Sequence, residues 1–580
     1  MKKKLSSGQK IVRRFTFFSK KAGEATIEHV EENIVDRLSH IRNVRLLILE
    51  WSLLVAAILF LSITQAYWYS ESYATETYQS DGTYIEATLG EVKTLNPLFA
   101  STSSEKTISK LLFSTLSSPD YSGHYGLSLA KSIKHDESAK LWTVKLRDNL
   151  KWSDGEPLTN EDVIFTVNLI KNPLVNSNFS SNLSSVQVSE SEDKSAIVFR
   201  LNSSNIFFES ALDFPILPKH ALEDVKPDLI LEHKFSSNPI SSGPYKYNNT
   251  QAIGNLGEKS VYLRANENYY KGTPKIDSFV VHAFTKTDDI VAALNSGTVT
   301  ASGELTAGDA KKVTKSNLTE RATSLNYGTY AFFNLERVNN KDLRKAIRQG
   351  IDFENVRSVL NGEQPLNFPI LESQIKLSKY PEVVKTDKNT AKKTIKEILD
   401  ANEQLKKTGL SIVTVKSGYL PEISEKIAEE IRSLGIEVTV TTFDLGQDFI
   451  LNMLTQRNYD ILVYEIGLGA DPDIFAYYHS SEANASGHNL SNYKNTVVSD
   501  LVLSARSTTD ENLLVKKYER FLDYFMEDVP ALGIYQANMT YFVNKNVRSY
   551  SQENHLITAT DRLLDVERWG VEKTTKNRTP

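Results

Sequence analysis

The residue types that usually carry covalent chemistry are absent or scattered in this chain. It has no cysteine, and its ten histidines are spread over 580 residues, which excludes disulfides, thiolate metal sites and a cysteine nucleophile. The sequence contains no GxSxG, no HExxH and no glycine-rich phosphate loop. Acids are numerous, but no spacing marks a catalytic pair of them. An enzyme is therefore not the favoured class, and we expect no cofactor and no metal.

The composition indicates a large globular chain. Hydrophobic residues make up 40% and charged residues 24% of the sequence, and the formal net charge is −5. Length alone suggests about three to four domains. The slight acidic excess, with no interleaving of basic and aromatic residues, argues against nucleic acid as a partner.

A strand, a turn and a helix are predicted between residues 141 and 173. Trp142, Val144 and Leu146 alternate with polar residues, which is typical of a half-buried strand. A turn-forming stretch follows at 153–157, and Thr159 with Asp162 marks the start of a helix. Any mixed α/β domain could contain such a unit.

Residues 46–69 form an apolar segment near the amino end. Trp51 to Trp68 contain no charge, and 24 helical residues cover about 36 Å, enough for a bilayer core of about 30 Å. The basic residues before it predict a cytoplasmic amino end. A cleaved signal peptide is the alternative, but the long lead and the bulky aromatics after Ala66 disfavour cleavage. We expect an uncleaved single-pass anchor in the cell membrane.

Several further stretches match the sequence motifs of one protein family. These are LRDNLKWSDGEPLTNEDVIFTVNLI at 146–170, Ser242-Gly243-Pro244-Tyr245, the helix 343–352, Asp471-Pro472, and the ending Asp528-Val529-Pro530 with Tyr535. In this order they resemble the bacterial extracellular solute-binding proteins of family 5, the dipeptide- and oligopeptide-binding proteins of ABC importers.

The resemblance implies an α/β chain with the two-lobed periplasmic-binding-protein-like fold, class II and of the large peptide-binding type, behind an N-terminal transmembrane helix. Residues 1–45 would be a basic cytoplasmic tail, 46–69 the anchor and 70–82 a linker. The first lobe would take 83–335 and 461–573, and the second lobe 336–460. Residues 574–580 would be a disordered tail.

The resemblance also implies a function. The chain would be an extracytoplasmic, monomeric binding protein and not an enzyme. It would capture a peptide between its lobes and deliver it to ABC permease subunits with their ATPase. The lobes would close about crossovers near 325–336 and 460–470. Three alternatives stay open: a non-peptide solute such as an oligosaccharide or a metal complex, an envelope sensor or scaffold with the same fold, and a membrane-tethered hydrolase.

The ligand-binding residues follow from the resemblance as well. In peptide-binding relatives an aspartate shortly before an Asp/Glu-Pro pair receives the α-ammonium group of the ligand, and alignment on Asp471-Pro472 puts Leu468 in that place. A buried ammonium needs a carboxylate partner, so we expect Glu465 or Glu91 to replace the missing one. Asp471 either contacts the ligand or caps a helix. The complete expected site is Glu91, Thr94, Leu95, Tyr330, Asn334, Glu465, Gly467, Leu468, Gly469 and Asp471.

Overall fold

The structure is a computed structural model, and it describes residues 41–79, 82–253, 257–360, 362–550 and 555–577. The chain divides into two compact units. One comprises Met1–Thr77 with Thr574–Pro580, and the other comprises Tyr78–Lys573. Residues 1–40, most of the predicted cytoplasmic tail, lie outside the described residues.

The first unit contains one long helix, α1 (Ile41–Tyr73), followed by strand β1 (Ala74–Gln79). The predicted anchor 46–69 lies inside α1. The predicted linker 70–82 is not a plain linker, because α1 runs to Tyr73 and an extended segment follows it. The described side chains of α1 are those of residues 49–65. Among the described residues, no helix has the combined length and apolarity that a membrane crossing requires.

The remaining strands and helices lie in the second unit, except that residues 574–577, the end of the last strand, belong to the first unit, and residues 78–79, the end of β1, to the second. The strands are β2 (Thr83–Leu89), β3 (Ser117–Pro119), β4 (Tyr125–Leu127), β5 (Ala130–His135), β6 (Leu141–Leu146), β7 (Gln187–Glu190), β8 (Ile197–Arg200), β9 (Tyr245–Ile253), β10 (Glu258–Ala265), β11 (Ser278–Phe284), β12 (Ala301–Leu305), β13 (Leu318–Phe333), β14 (Gln364–Pro365), β15 (Leu410–Val415), β16 (Val438–Phe443), β17 (Ile461–Gly467), β18 (Ala531–Asn544), β19 (Val547–Arg548) and β20 (Gly570–Asn577). The helices are α2 (Ser103–Leu112), α3 (Asn160–Lys171), α4 (Ser180–Leu183), α5 (Lys219–Leu222), α6 (Thr287–Ser296), α7 (Ala307–Ala310), α8 (Lys341–Gly350), α9 (Phe353–Arg357), α10 (Lys388–Ala401), α11 (Glu403–Thr408), α12 (Leu420–Ser433), α13 (Gln447–Phe449), α14 (Phe475–Tyr478), α15 (Thr496–Ala505) and α16 (Glu511–Asp528). A π-helical turn covers Ile450–Thr455.

One sheet of 11 strands runs through the second unit. Its order is β16-β15-β17-β13-β18-β12-β2-β11-β10-β9, with β14 paired to β18. The strands β15, β16 and β17 pair in parallel, and β13 pairs antiparallel with both β17 and β18. A separate four-stranded sheet, β5-β6-β8-β7, contains the strand predicted at 141–146.

The apolar residues form two large cores, one for each lobe of an α/β fold. The first core runs from Tyr84 to Ala301 and resumes at Met539. The second core runs from Tyr330 to Tyr535. The chain therefore passes between the lobes within β13 and again within β18. The predicted return to the first lobe at 461 is wrong, because the apolar faces of α14, α15 and α16 pack into the second core.

Local sequence signals mark the ends of several helices. The backbone N–H of Thr159 donates to Asp162 Oδ2 at 2.8 Å, which confirms the predicted start of α3. Gly297 closes α6 with φ +80°, as expected for a glycine C-cap. Helix α2 begins after Thr102, which forms a capping box with Glu105.

The carboxyl end differs from its prediction. Strand β20 extends to Asn577, inside the tail expected to be disordered. Val571, Thr574 and Thr575 are β-branched and favour an extended backbone. The prediction of disorder is therefore wrong for 574–577, and 578–580 lie outside the described residues.

Candidate functional site

The carboxyl ends of the parallel strands mark one edge of the second lobe. In sheets of this kind ligands bind in the crevice outside these ends. A cavity of 580 Å³ lies there, lined by residues that follow β15 and β16, among them Lys416, Gly418 and Asp444. A larger cavity of 1180 Å³ lies at the opposite edge, beside Ser411 and Asp460 at the amino ends of β15 and β17. Topology therefore favours the smaller cavity and the end of β17 as part of the site.

The loop after β17, residues 467–471, is called the cleft loop below. Gly467 is exposed, Gly469 and Asp471 are half-buried, and Leu468 belongs to the second core. Gly469 adopts φ +72°, a left-handed conformation that glycine adopts without a steric cost. Because Leu468 fills a core position at 5% exposure, an aspartate there would bury its charge.

Glu465 lies on β17 directly opposite Thr329 of β13. Burial raises the pKa of its carboxyl group to about 6. The negative charge of Glu465 in turn raises the pKa of Tyr327 and of Tyr535, after the effect of their own burial. This carboxylate therefore lies close to phenol groups, beside the strands β13 and β18 that pass between the lobes.

Asp471 is the second desolvated acid of this edge. Burial first, and then the charges of Asp473 and Glu209, together raise its pKa to about 7. Asp473, two residues later, is neutralised by a bidentate contact to Arg506, with Oδ2 to Nη2 at 2.8 Å. Within the described part of the chain, no cation forms an ion pair with Glu465 or with Asp471.

The alternative interpretation of Asp471 as a helix cap is wrong. The residue before α14 is Ile474, which makes no side-chain cap. The backbone N–H of Phe475 donates instead to Asp473 Oδ1 at 3.3 Å. The carboxylate of Asp471 is thus not used for capping.

The first lobe faces this edge with further charged groups. Glu209 is half-buried and its pKa is raised by burial. Lys110 Nζ lies 3.8 Å from Asp213 Oδ1 and 3.8 Å from Asp561 Oδ1. The pKa of Tyr125, on β4, is raised by burial and then by Asp213, Asp561 and Asp471. The charges of Asp471 in the second lobe and of Glu209 in the first lobe therefore act on each other, in a region with more acids than cations. The residues of both lobes in this region are called the acidic cleft below.

The loop after β2 is fixed by its own hydrogen bonds. Glu105 Oε1 accepts from the backbone N–H of Thr94 at 3.2 Å, and Thr94 Oγ1 accepts from the N–H of Asn96 at 3.0 Å. The N–H of Leu95 donates to the Ser236 carbonyl. Glu91 is exposed and stands beside Gly257. No contact in the described chain joins Glu91 to Glu465 or Asp471, so these acids are not brought together.

Tyr330 and Asn334 are engaged inside the second lobe. The hydroxyl of Tyr330 donates to the Phe368 carbonyl at 3.1 Å and the residue is fully buried. Asn334 Nδ2 donates to the Arg457 carbonyl at 2.8 Å. These two residues are therefore not part of the proposed site. The residues that sequence reasoning missed are Glu209 of the first lobe and the amides Asn326 and Gln374, which contact the cleft loop.

Two α/β lobes joined by neighbouring strands are the architecture of the two-lobed solute-binding proteins. The family model of the bacterial extracellular solute-binding proteins, family 5 Middle, matches residues 125–487. The chain therefore belongs to this family of extracellular solute-binding proteins.

Relatives and solved structures agree with this membership. The chain is 27% identical over 552 residues to the oligopeptide-binding protein AppA of Bacillus subtilis, covering 90% of this chain and 98% of AppA. The structure of the B. subtilis protein AppA in complex with a nonapeptide is similar with a TM-score of 0.70 at 23% identity, covering 85% of this chain and 100% of that one. NikZ from Campylobacter jejuni in complex with Ni(L-His) is similar with a TM-score of 0.70 at 22% identity, covering 84% and 99%. These two structures share the fold.

Proposed function

We propose that this chain is the substrate-binding subunit of an ABC importer, that it binds peptides in the acidic cleft, and that it delivers them to permease subunits. The relative named an oligopeptide-binding protein and the neighbour with a bound nonapeptide support a peptide as the solute. The observation that carries the proposal is the pair of unpaired, desolvated carboxylates, Glu465 and Asp471. A peptide with a free amino end supplies the cation that this pair lacks.

The ammonium group of the peptide binds at Asp471 or Glu465. A desolvated carboxylate without a cation is unfavourable, and a bound ammonium restores the ionised form. Asp473 cannot serve, because Arg506 Nε donates to its Oδ1 and Arg506 Nη2 donates to its Oδ2. Glu91 is not expected to serve, because it is exposed in a separate loop of the first lobe.

Closure of the lobes takes place where β13 and β18 pass between the cores. The pairing of β13 with β18 shifts register between Ser324 and Gly328 and again between Thr329 and Tyr330. Irregular pairing of this kind bends strands, so the two lobes can rotate about this segment. A ligand that contacts both walls favours the closed form, since it binds that form better.

A membrane tether is the second part of the proposal. Along residues 49–65 of α1 the large apolar side chains, from Leu49 to Ile63, are each 49–67% exposed. A helix that is apolar all round requires an apolar environment. The predicted span 46–69 extends beyond these described side chains at both ends. The helix would hold the binding unit at the outer face of the membrane.

Isothermal titration calorimetry on the full chain in detergent tests the ligand assignment. The probes are peptides of two to nine residues with free or acetylated amino ends. We expect acetylation to weaken binding at least tenfold in the native protein, and to have little further effect in Asp471→Asn with Glu465→Gln. Glu91→Gln is the control and should bind as the native protein does. Tight binding of free-amine peptides that the double substitution does not weaken would refute the ammonium site.

A further inference from the structure

Two side-chain amides from elsewhere in the chain hold the cleft loop. Gln374 Nε2 donates to the carbonyl oxygens of Leu468 at 2.6 Å, Asp471 at 2.8 Å and Gly469 at 3.3 Å. Asn326 Nδ2 also donates to the Gly469 carbonyl, at 2.7 Å. Four contacts from two amides thus fix three of the loop's carbonyl groups.

Both amides are themselves fixed. Gln374 is 8% exposed, and its Oε1 accepts from the N–H of Leu371 at 2.9 Å. Asn326 is 1% exposed and lies in the irregular segment of β13. Its carbonyl accepts from the N–H of Leu468 at 2.7 Å, and its Oδ1 lies 3.1 Å from Nε2 of His555 in the first lobe. Neither amide can turn to accept from a ligand without breaking these contacts.

Four of the five backbone carbonyl groups of the cleft loop are occupied. The Gly467 carbonyl is bonded as well, since the hydroxyl of Tyr477 donates to it at 2.7 Å. The N–H groups of Gly469 and Asp471, both half-buried residues, have no acceptor in the part of the chain that is described. A group approaching these two residues therefore meets free N–H donors, while the carbonyl groups of Leu468, Gly469 and Asp471 are already bonded.

We propose that Gln374 and Asn326 are positioning residues that together occupy the carbonyl groups of Leu468, Gly469 and Asp471 and leave the N–H groups of Gly469 and Asp471 to the ligand. These two N–H groups then bind carbonyl oxygens of a peptide backbone, while the Asp471 carboxylate stays available for the ammonium group. A ligand N–H placed against one of the three bonded carbonyl groups would lack an acceptor, and its burial there would cost a hydrogen bond. The ligand part of this inference rests on the proposed function, whereas the positioning part does not.

The positioning part is tested without any ligand. Hydrogen exchange at single-residue resolution is measured on the full chain in detergent, comparing the native protein with Gln374→Met and Gln374→Glu. We expect the amide of Leu468 to exchange about tenfold faster in both variants, because the loop loses three contacts. In the native protein the amides of Gly469 and Asp471 should already exchange fast.

Asn266→Asp is the matched control. Asn266 is fully buried in the first lobe, and its Nδ2 donates to one backbone carbonyl, that of Gly243, at 2.8 Å. This substitution also removes a buried amide donor, but it should leave the Leu468 amide unchanged. Equal exchange at Leu468 in the native protein and in both Gln374 variants would overturn the positioning role.

The ligand part is tested with a nonapeptide of alternating alanine and serine and its backbone analogues. One series replaces each peptide bond by an ester, which removes one N–H, and a second replaces each carbonyl by a methylene group. We expect the parent peptide to protect Gly469 and Asp471 from exchange. A methylene analogue should lose this protection and bind about tenfold more weakly, while every ester should retain the protection.

The outcomes separate the two claims. If the parent peptide binds and leaves Gly469 and Asp471 exchanging as before, the donor role of the loop is refuted. If neither this peptide nor any other peptide binds, the proposed function fails, and the ligand-free comparison still decides whether Gln374 positions the loop.

Discussion

Removing the charge of Asp471 should stabilise the ligand-free protein at alkaline pH. The pKa of this carboxyl group is about 7 in the folded chain and about 3.9 in an unfolded one. A shift of about three pH units corresponds to about 4 kcal/mol as an upper bound. Since the side chain is partly exposed, solvent screening reduces the expected effect to about 2 kcal/mol.

The sign follows from proton binding. The folded state holds the Asp471 proton more tightly than the unfolded state, so the free energy of unfolding falls as the pH rises from about 4 to about 7. Asp471→Asn lacks this dependence. The variant should therefore match the native protein near pH 4 and exceed its stability by about 2 kcal/mol at pH 8, which is a rise in Tm of about 2 °C for a chain of this size.

Thermal unfolding followed by circular dichroism between pH 4 and pH 8.5 measures this difference. The control is Asp224→Asn, at an exposed position of the first lobe, and it should change the Tm equally at every pH. The reasoning is refuted if the difference between Asp471→Asn and the native protein does not grow with pH, because Asp471 would then be no more desolvated than an exposed acid.

Three further predictions concern a buried ion pair, the independence of the second unit from α1, and the closure of the lobes. Arg562 and Glu86 form an ion pair at 1% and 0% side-chain exposure, so Arg562→Met should lower the free energy of unfolding by about 3–5 kcal/mol by leaving Glu86 unpaired. Adding Glu86→Gln should restore most of that loss in urea unfolding, and no recovery would show that the arginine acts through packing. Deleting residues 1–69 should give a soluble protein that unfolds at the native temperature, since Tyr78–Lys573 form a compact unit of their own. Aggregation of that fragment would contradict the assignment of α1 as only a tether. Saturating peptide should lower the radius of gyration of the same fragment in X-ray scattering, and an unchanged curve would argue against closure.

Elements whose signals lie within a few residues could be predicted from the sequence. Thr159 and Asp162 are three positions apart, and they mark the start of α3 because the capping contact is local. The strand at 141–146 was likewise evident from its alternation, with Trp142 and Val144 buried. The motif order along the chain identified the family and, with it, the two-lobed fold.

The side of the sheet on which a given side chain lies could not be predicted from the sequence in the same way. Glu465 stands opposite Thr329, and Tyr330 stands opposite Tyr464. Neighbouring residues of one strand point to opposite faces, so Tyr330 and Glu465 cannot both face the same side of the sheet. Both residues were predicted to bind the ligand, and only the strand register shows that they lie on opposite sides of the sheet.

The contacts that shape the cleft loop are long-range. Gln374 lies 94 positions before Leu468, and Asn326 lies 143 positions before Gly469. No periodicity or motif marks either amide, because their role depends on how the two lobes meet. The same holds for Glu209, whose charge acts on Asp471 from the other lobe.

The most direct test of the account is native mass spectrometry of the full chain, released from detergent after incubation with an equimolar mixture of peptides, oligosaccharides and nickel–histidine. The account predicts that the protein retains one peptide per chain, selects free over acetylated amino ends, and loses this selection when Asp471→Asn is combined with Glu465→Gln. Retention of a sugar or a nickel complex, with no peptide bound at any ratio, would contradict it.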